Sequence, residues 1–142
     1  MGNIEIWGDT MILGIGIDIV EIRRIAEAKK NPKFISRVFT EHERAYCESR
    51  GAQQASSYAA RFAAKEAVMK ALGTGLSQGR WLDIEIVSAL DTKPKVRLGG
   101  FFAEAARKLG VAEVYLSITH SRESAVAQAI AWGGAGYESG NK

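Results

Sequence analysis

Along residues 12–20 apolar and small or polar positions alternate. Leu13, Ile15, Ile17 and Ile19 fall on one side of an extended chain, and Gly14, Gly16 and Asp18 on the other. A period of two predicts a β-strand. The period then changes. Ile22 and Ile25 are spaced for one face of a helix beginning near Glu21, Pro32 interrupts it, and a short second helix follows. Thr40 with Glu43 three residues on is a capping-box pattern, which predicts a helix over 41–49 that Gly51 ends. Ser56 or Ser57 is placed to cap the longest helix. That helix is rich in Ala, Lys, Glu and Met and is expected to run to Ala71 or Leu72, with Gly73 as its stop and a glycine-rich loop over 73–79.

Strand-like runs follow at 82–87 and 96–98, then a helix over 101–109 closed by Gly110. Residues 114–119 and 125–132 alternate as two strands joined by a polar turn at 120–123. The order strand, helices, strands, helix, hairpin predicts an α+β fold with a largely antiparallel sheet packed with helices. Met11 opens the first strand pattern, so residues 1–10 read as an N-terminal extension or an expression remnant. Residues 11–134 form the single expected domain, and the glycine-rich residues 135–142 read as a frayed tail.

Composition narrows the class only modestly. With 46% hydrophobic and 25% charged residues in a chain of 142, one core-forming domain is expected and wholesale disorder is excluded. The lone Cys47 rules out an internal disulfide and fits a cytoplasmic setting. No apolar run approaches the ~20 residues of a membrane span, and no secretory pattern opens the chain. The net charge of +3 is small, yet Arg23, Arg24, Lys29, Lys30, Lys33 and Arg37 crowd one stretch. That stretch reads either as a dock for an acidic or phosphate-rich partner or as a solvated helix face.

The candidate chemistry sits in three places. Asp18 is out of character for a strand and shares its side with two glycines, which often mark close approach by a backbone or ligand. It could hold a cation, or cap the helix that starts near Glu21. Glu66 and Lys70 lie one helical turn apart, as a metal ligand beside a phosphate-neutralising ammonium or as a common surface pair. His120 and Ser121 end a strand, where they could meet phosphate or serve as acid or base, or be turn residues only. Two histidines and one cysteine far apart make no zinc pattern, and neither common nucleotide-binding glycine fingerprint is present.

Taken together these stretches resemble the small holo-acyl-carrier-protein synthases, the stand-alone group within the 4′-phosphopantetheinyl transferases. Three segments carry the resemblance in order: Ile12-Leu-Gly-Ile-Gly-Ile-Asp18-Ile-Val-Glu-Ile-Arg-Arg24-Ile, Arg61-Phe-Ala-Ala-Lys65-Glu66-Ala-Val-Met-Lys70-Ala-Leu-Gly73-Thr-Gly75, and Ser117-Ile-Thr-His120-Ser121. The resemblance implies that an acceptor serine attacks the pyrophosphate of coenzyme A and adenosine 3′,5′-bisphosphate leaves, a step belonging to fatty acid biosynthesis. It implies Asp18 and Glu66 as magnesium ligands, with Glu66, Asp18, Lys70 and His120 at the reaction centre. Arg61, Lys65, Lys70, Gly73, Thr74, Gly75, His120 and Ser121 are implied as coenzyme A contacts. Arg24, Lys33, Phe34 and Arg37 are implied as the dock for apo-acyl carrier protein, an acidic partner. A homotrimer with sites between subunits is implied as well.

Two other classes use the same features. A magnesium-dependent phosphodiester hydrolase would need the same carboxylates without a carrier protein. A basic nucleic-acid module is opposed by the small net charge and by the scarcity of aromatics near the basic cluster, apart from Phe34 and Phe39. Neither nucleic acid nor membrane is expected as a partner.

Overall fold

In a computed structural model the described residues are 2, 11–76, 78–88 and 93–134, so the expectations for residues 1–10 and 135–142 fall almost wholly outside them. The chain runs β1 (Ile12–Glu21), α1 (Ile22–Ala28), α2 (Pro32–Val38), α3 (Glu41–Glu48) and α4 (Gln54–Ala71). It continues through β2 (Ile84–Val87), β3 (Lys95–Leu98), α5 (Gly100–Leu109), β4 (Val111–His120) and β5 (Ser124–Gly133). The expected α+β architecture is present, and every strand pairing is antiparallel.

The strands form two sheets instead of one, β1-β5-β4 and β2-β3. Side chains explain the break. Backbone groups of β2 that another strand could have paired are taken by two buried charges: Lys65 Nζ donates to the Ile84 carbonyl at 2.6 Å, and the Ile86 N–H donates to Glu43 Oε2 at 2.7 Å. The two side chains meet at 2.8 Å, both fully enclosed. Glu43 also completes the capping box expected from Thr40, accepting from the Thr40 N–H.

The helix α4 lies across one face of the three-stranded sheet at very close range. Its contact surface is built of Ala59, Ala60, Ala63, Ala64, Ala67 and Ala71, and β5 answers with Ala125, Ala127, Ala129 and Ala131. On β1 even a methyl group does not fit. A Cβ on Gly16 would stand 2.7 Å from the Ala71 nitrogen and 2.8 Å from Lys70 Cβ, and closer still to the Ala67 carbonyl oxygen. The glycine side of β1 therefore faces α4, and the strand's next residue on that side is Asp18.

The helix α4 starts two residues earlier than Ser56. A 3₁₀ turn over Gly51–Gln53 leads into it, and the Ser56 hydroxyl bonds back to the Gln53 carbonyl at 3.0 Å instead of capping. It ends as expected at Gly73, which adopts φ +72. The Gly73 N–H reaches the Lys70 carbonyl and the Thr74 N–H the Met69 carbonyl, the paired bonds of a Schellman stop.

The other face of the sheet is exposed and mixed, apolar along β1 and polar in its middle row, where Ile17 aligns with Gln128 and Ser117. Ile15 is 57% exposed, Ile17 58% and Ile19 66%, with Tyr115 and Trp132 across the sheet from them. The register aligns Ile15, Ile130 and Tyr115 in one row and Ile19, Val126 and Thr119 in another. The exposed isoleucines of β1 form an apolar strip, and such a strip marks an interaction face. Among the described residues no helix is long and apolar enough to cross a membrane.

Candidate active site

Asp18 sits inside β1, opposite Ala127 on β5, four residues before the first helix. It does not cap that helix: Glu21 is the N-cap position and makes no side-chain cap bond. Because its side of the strand faces α4, Asp18 is brought to the solvent-facing flank of that helix, where Glu66 and Lys70 project. The helical spacing alone allowed a Glu66–Lys70 pair, but the Lys70 ammonium crosses to the strand. It stands 3.2 Å from Asp18 Oδ1 and 3.0 Å from the Ile17 carbonyl oxygen. Partial burial, and next the nearby Asp18 carboxylate, raise the pKa of Glu66 above its ordinary value, with Lys70 pulling the other way. Two carboxylates and one ammonium thus share a single cleft edge.

The glycine loop continues from the end of α4, so Gly73, Thr74 and Gly75 follow Lys70 by about one turn, with Thr74 Oγ1 near the Met69 carbonyl at 3.4 Å. His120 and Ser121 stand at the end of β4, both exposed. His120 Nδ1 is 3.2 Å from the Ser121 carbonyl oxygen, and the Ser121 hydroxyl accepts from the Glu123 and Ser124 N–H groups. β5 lies between His120 and β1. Two strand spacings, about 10 Å, therefore separate His120 from β1 within one chain.

Arg61 and Lys65 lie on a different side of α4 from Glu66. The Arg61 guanidinium covers the Tyr46 ring at 4.1 Å, and its buried Nε has no hydrogen-bond partner among the described residues. It lines a pocket of 330 Å³ with His42, Tyr46 and Arg97. A larger groove of 650 Å³ runs along Lys95, Val96, Leu98, Val114 and Tyr115, also away from Asp18 and Glu66.

Lys65 departs from expectation. Its ammonium is fully enclosed, held by Glu43 Oε1 and by the Trp81 and Ile84 carbonyls, so all three donors are used and none is free for coenzyme A. Burial lowers its pKa, and Glu43 opposes that shift. Neighbouring Glu66 in sequence gives no hint of this, because one residue along a helix turns the side chain by about 100°. Glu43 was legible only as a capping residue, and the Glu43–Lys65 pair had no sequence signal.

On the basic segment Arg24, Lys33 and Arg37 are exposed on α1 and α2. Phe34 is turned inward and half-buried, its ring 6.1 Å from both Phe39 and Phe62. The ring packs against the core and keeps part of its surface open beside Lys33 and Arg37 of the same helix.

The profile of the 4′-phosphopantetheinyl transferase superfamily matches residues 14–129. The chain belongs to that superfamily. Within it, the chain is 51% identical over 123 residues to a holo-[acyl-carrier-protein] synthase of Alkaliphilus metalliredigens, covering 85% of this chain and 99% of that one. The fold matches a holo-(acyl-carrier-protein) synthase of Bacillus anthracis in complex with CoA (3′,5′-ADP). That match has a TM-score of 0.72 at 39% identity, over 87% of this chain and 99% of that one. A Helicobacter pylori holo-[acyl-carrier-protein] synthase in complex with coenzyme A matches with a TM-score of 0.71 at 32% identity, over 82% and 98% of the two chains. The matched span takes in Asp18, Glu66, Lys70 and His120 together, and leaves residues 1–10 and 135–142 outside.

Proposed function

We propose that this chain transfers the 4′-phosphopantetheine arm of coenzyme A to a serine of apo-acyl carrier protein, as a step of fatty acid synthesis in the cytoplasm. The observation that carries the reading is the cluster of Asp18, Glu66 and Lys70 in a chain whose whole domain matches the family. The serine oxygen forms a bond to the phosphorus that bears pantetheine. The bond to adenosine 3′,5′-bisphosphate breaks, and the serine proton goes to a base. Such a transfer needs charge neutralisation and in-line positioning above all.

The donor set fits magnesium. That ion takes one or two carboxylates and fills its other positions with phosphate oxygens and water, and Asp18 and Glu66 supply two. Among the described residues no group of three or more His, Cys, Asp or Glu side chains is gathered that could hold a metal. A cation is already favoured here, since Lys70 leans on Asp18. When bound, magnesium supplies charge neutralisation to the pyrophosphate oxygens. Asp18 and Glu66 would hold it, and Lys70 would neutralise a phosphate oxygen. Glu66 is the leading acceptor of the serine proton, directly or through a water.

Arg61, Gly73, Thr74 and Gly75 are assigned to coenzyme A, and His120 and Ser121 to the site of a neighbouring subunit. The bare isoleucine face supports the homotrimer, and the open flank around Asp18 is consistent with a cleft completed by another copy. Arg24, Lys33 and Arg37 are assigned to the acidic carrier protein. Residues 11–134 are the catalytic domain.

The decisive test is the intact mass of apo-acyl carrier protein incubated with this chain, coenzyme A and magnesium. One phosphopantetheine arm should be gained, and a chelator should prevent it. Asp18→Ala and Glu66→Ala should each nearly abolish the gain with the circular dichroism unchanged, and normal transfer by both would remove the site. Arg24→Ala should raise the apparent KM for carrier protein and spare that for coenzyme A. Light scattering should give three times the chain mass, and a monomer that is fully active would refute the shared site.

A further inference from the structure

The ammonium of Lys70 occupies the carboxylate that the proposed function gives to the metal. It is anchored twice, on Asp18 Oδ1 at 3.2 Å and on the Ile17 carbonyl oxygen at 3.0 Å, so it lies along β1 instead of extending over its own helix turn. Helical neighbours Glu66 and Lys70 would ordinarily pair, yet the ammonium makes its ion pair with Asp18. We infer that Lys70 is a resident counter-ion that keeps the Asp18 carboxylate neutralised in the free protein. It gives the carboxylate up most readily when a phosphate of the nucleotide draws the ammonium away.

The consequence is thermodynamic coupling between the two ligands. With Lys70 on Asp18, a divalent cation must compete with a positive charge already in place, so it binds weakly to the free protein. A phosphate group offers Lys70 a better partner, since charge-assisted bonds to phosphate are among the stronger ones. Once Lys70 swings to it, Asp18 is released. Coupling of this kind is reciprocal: whatever factor the nucleotide adds to metal affinity, the metal adds to nucleotide affinity. The side chain of Lys70 is 53% exposed and that of Asp18 16%, so the pair is partly screened. Its hold on Asp18 is worth up to about a fivefold factor. This inference rests on the proposed metal role of Asp18.

The experiment measures Mn²⁺ binding by electron paramagnetic resonance, which counts the free ion, with and without 3′,5′-ADP. In the absence of nucleotide, Lys70→Met should bind Mn²⁺ up to about fivefold more tightly than wild type. The gain in Mn²⁺ affinity on adding 3′,5′-ADP should shrink in the variant. The Lys70 ε-methylene resonance, assigned by its loss in Lys70→Met, should move in the wild-type protein on adding 3′,5′-ADP without metal. Equal or weaker Mn²⁺ binding by Lys70→Met, or an unmoved resonance, overturns the inference. Asp18→Asn separates the two readings. If it leaves Mn²⁺ binding with 3′,5′-ADP intact, the metal site itself is wrong. If it abolishes binding while Lys70→Met matches wild type, only the counter-ion role falls.

Discussion

Replacing Gly16 by alanine puts one methyl group between β1 and α4, and the structure fixes what it meets. The new carbon would stand 2.7 Å from the Ala71 nitrogen and 2.8 Å from Lys70 Cβ, with the Ala67 carbonyl oxygen nearer still. Comfortable contacts lie at about 3.5 Å or more, so the helix must withdraw by about 1 Å. Two effects oppose each other. Alanine in a strand is intrinsically better than glycine by about 0.5–1 kcal/mol. Overpacking costs about 1–3 kcal/mol, and the upper end applies because the obstacles are backbone atoms that cannot rotate away. Overpacking wins by about 2 kcal/mol, a fall in melting temperature of roughly 6 °C for a domain of this size.

Activity should suffer beyond the lost stability. Gly16 presses on the turn that carries Lys70, and Asp18 is the next residue on the same side of β1. A shift of 1 Å between Asp18 and the Glu66–Lys70 edge should reduce kcat/KM about 10²-fold. Differential scanning calorimetry at fixed protein concentration, and transfer assays well below the melting temperature, read the two effects separately. A Gly16→Ala protein that melts at or above the wild-type temperature, with undiminished transfer, would refute the close-approach reasoning.

Two further outcomes follow from the buried and the coupled charges. Lys65→Met should leave Glu43 as an enclosed, uncompensated carboxylate and destabilise the domain by about 3–5 kcal/mol; urea unfolding that shows less than 1 kcal/mol would mean water reaches the pair. For Glu66 the folded-state pKa lies above the ordinary 4.5. Its contribution to stability is therefore fully present below that ordinary value and is lost as pH rises through the raised one. The ¹³C titration of its carboxyl should show the raised midpoint, and Asp18→Asn should lower that midpoint; an unshifted midpoint in both proteins would contradict the coupling.

How much of this was legible in the sequence depends on how local each cause is. The Thr40–Glu43 cap, the stop at Gly73 and the alternation of β1 are written within a few residues, and each element appears where the pattern puts it. Asp18, Glu66 and Lys70 stood out because their residue types clash with, or repeat on, their local element, although spacing left open whether Lys70 would pair with Glu66 or serve elsewhere. The separation of β2-β3 from the larger sheet was not legible. It depends on Glu43 and Lys65 meeting across long stretches of chain, and nothing local marks two charges as internal. Phe34 was placed by the resemblance alone, and its packing on Phe39 at the end of its own helix and on Phe62 of α4 had no local signal.

The alanine contact between α4 and the sheet has a consequence for rigidity. Methyl side chains have no rotamers to lose on folding, so the surface that fixes Asp18 against Lys70 is assembled almost without side-chain entropy cost. Stiffness there comes from backbones at near-contact distance, which long, jointed side chains would have loosened. The matching deficit is that alanines bury little area each, so a chain built this way gains less from its interior. The isoleucines left on the outer face of β1 hold the remaining hydrophobic free energy in reserve, available only on association. Rigidity at the site and durability of the molecule thus reside on opposite faces of one strand.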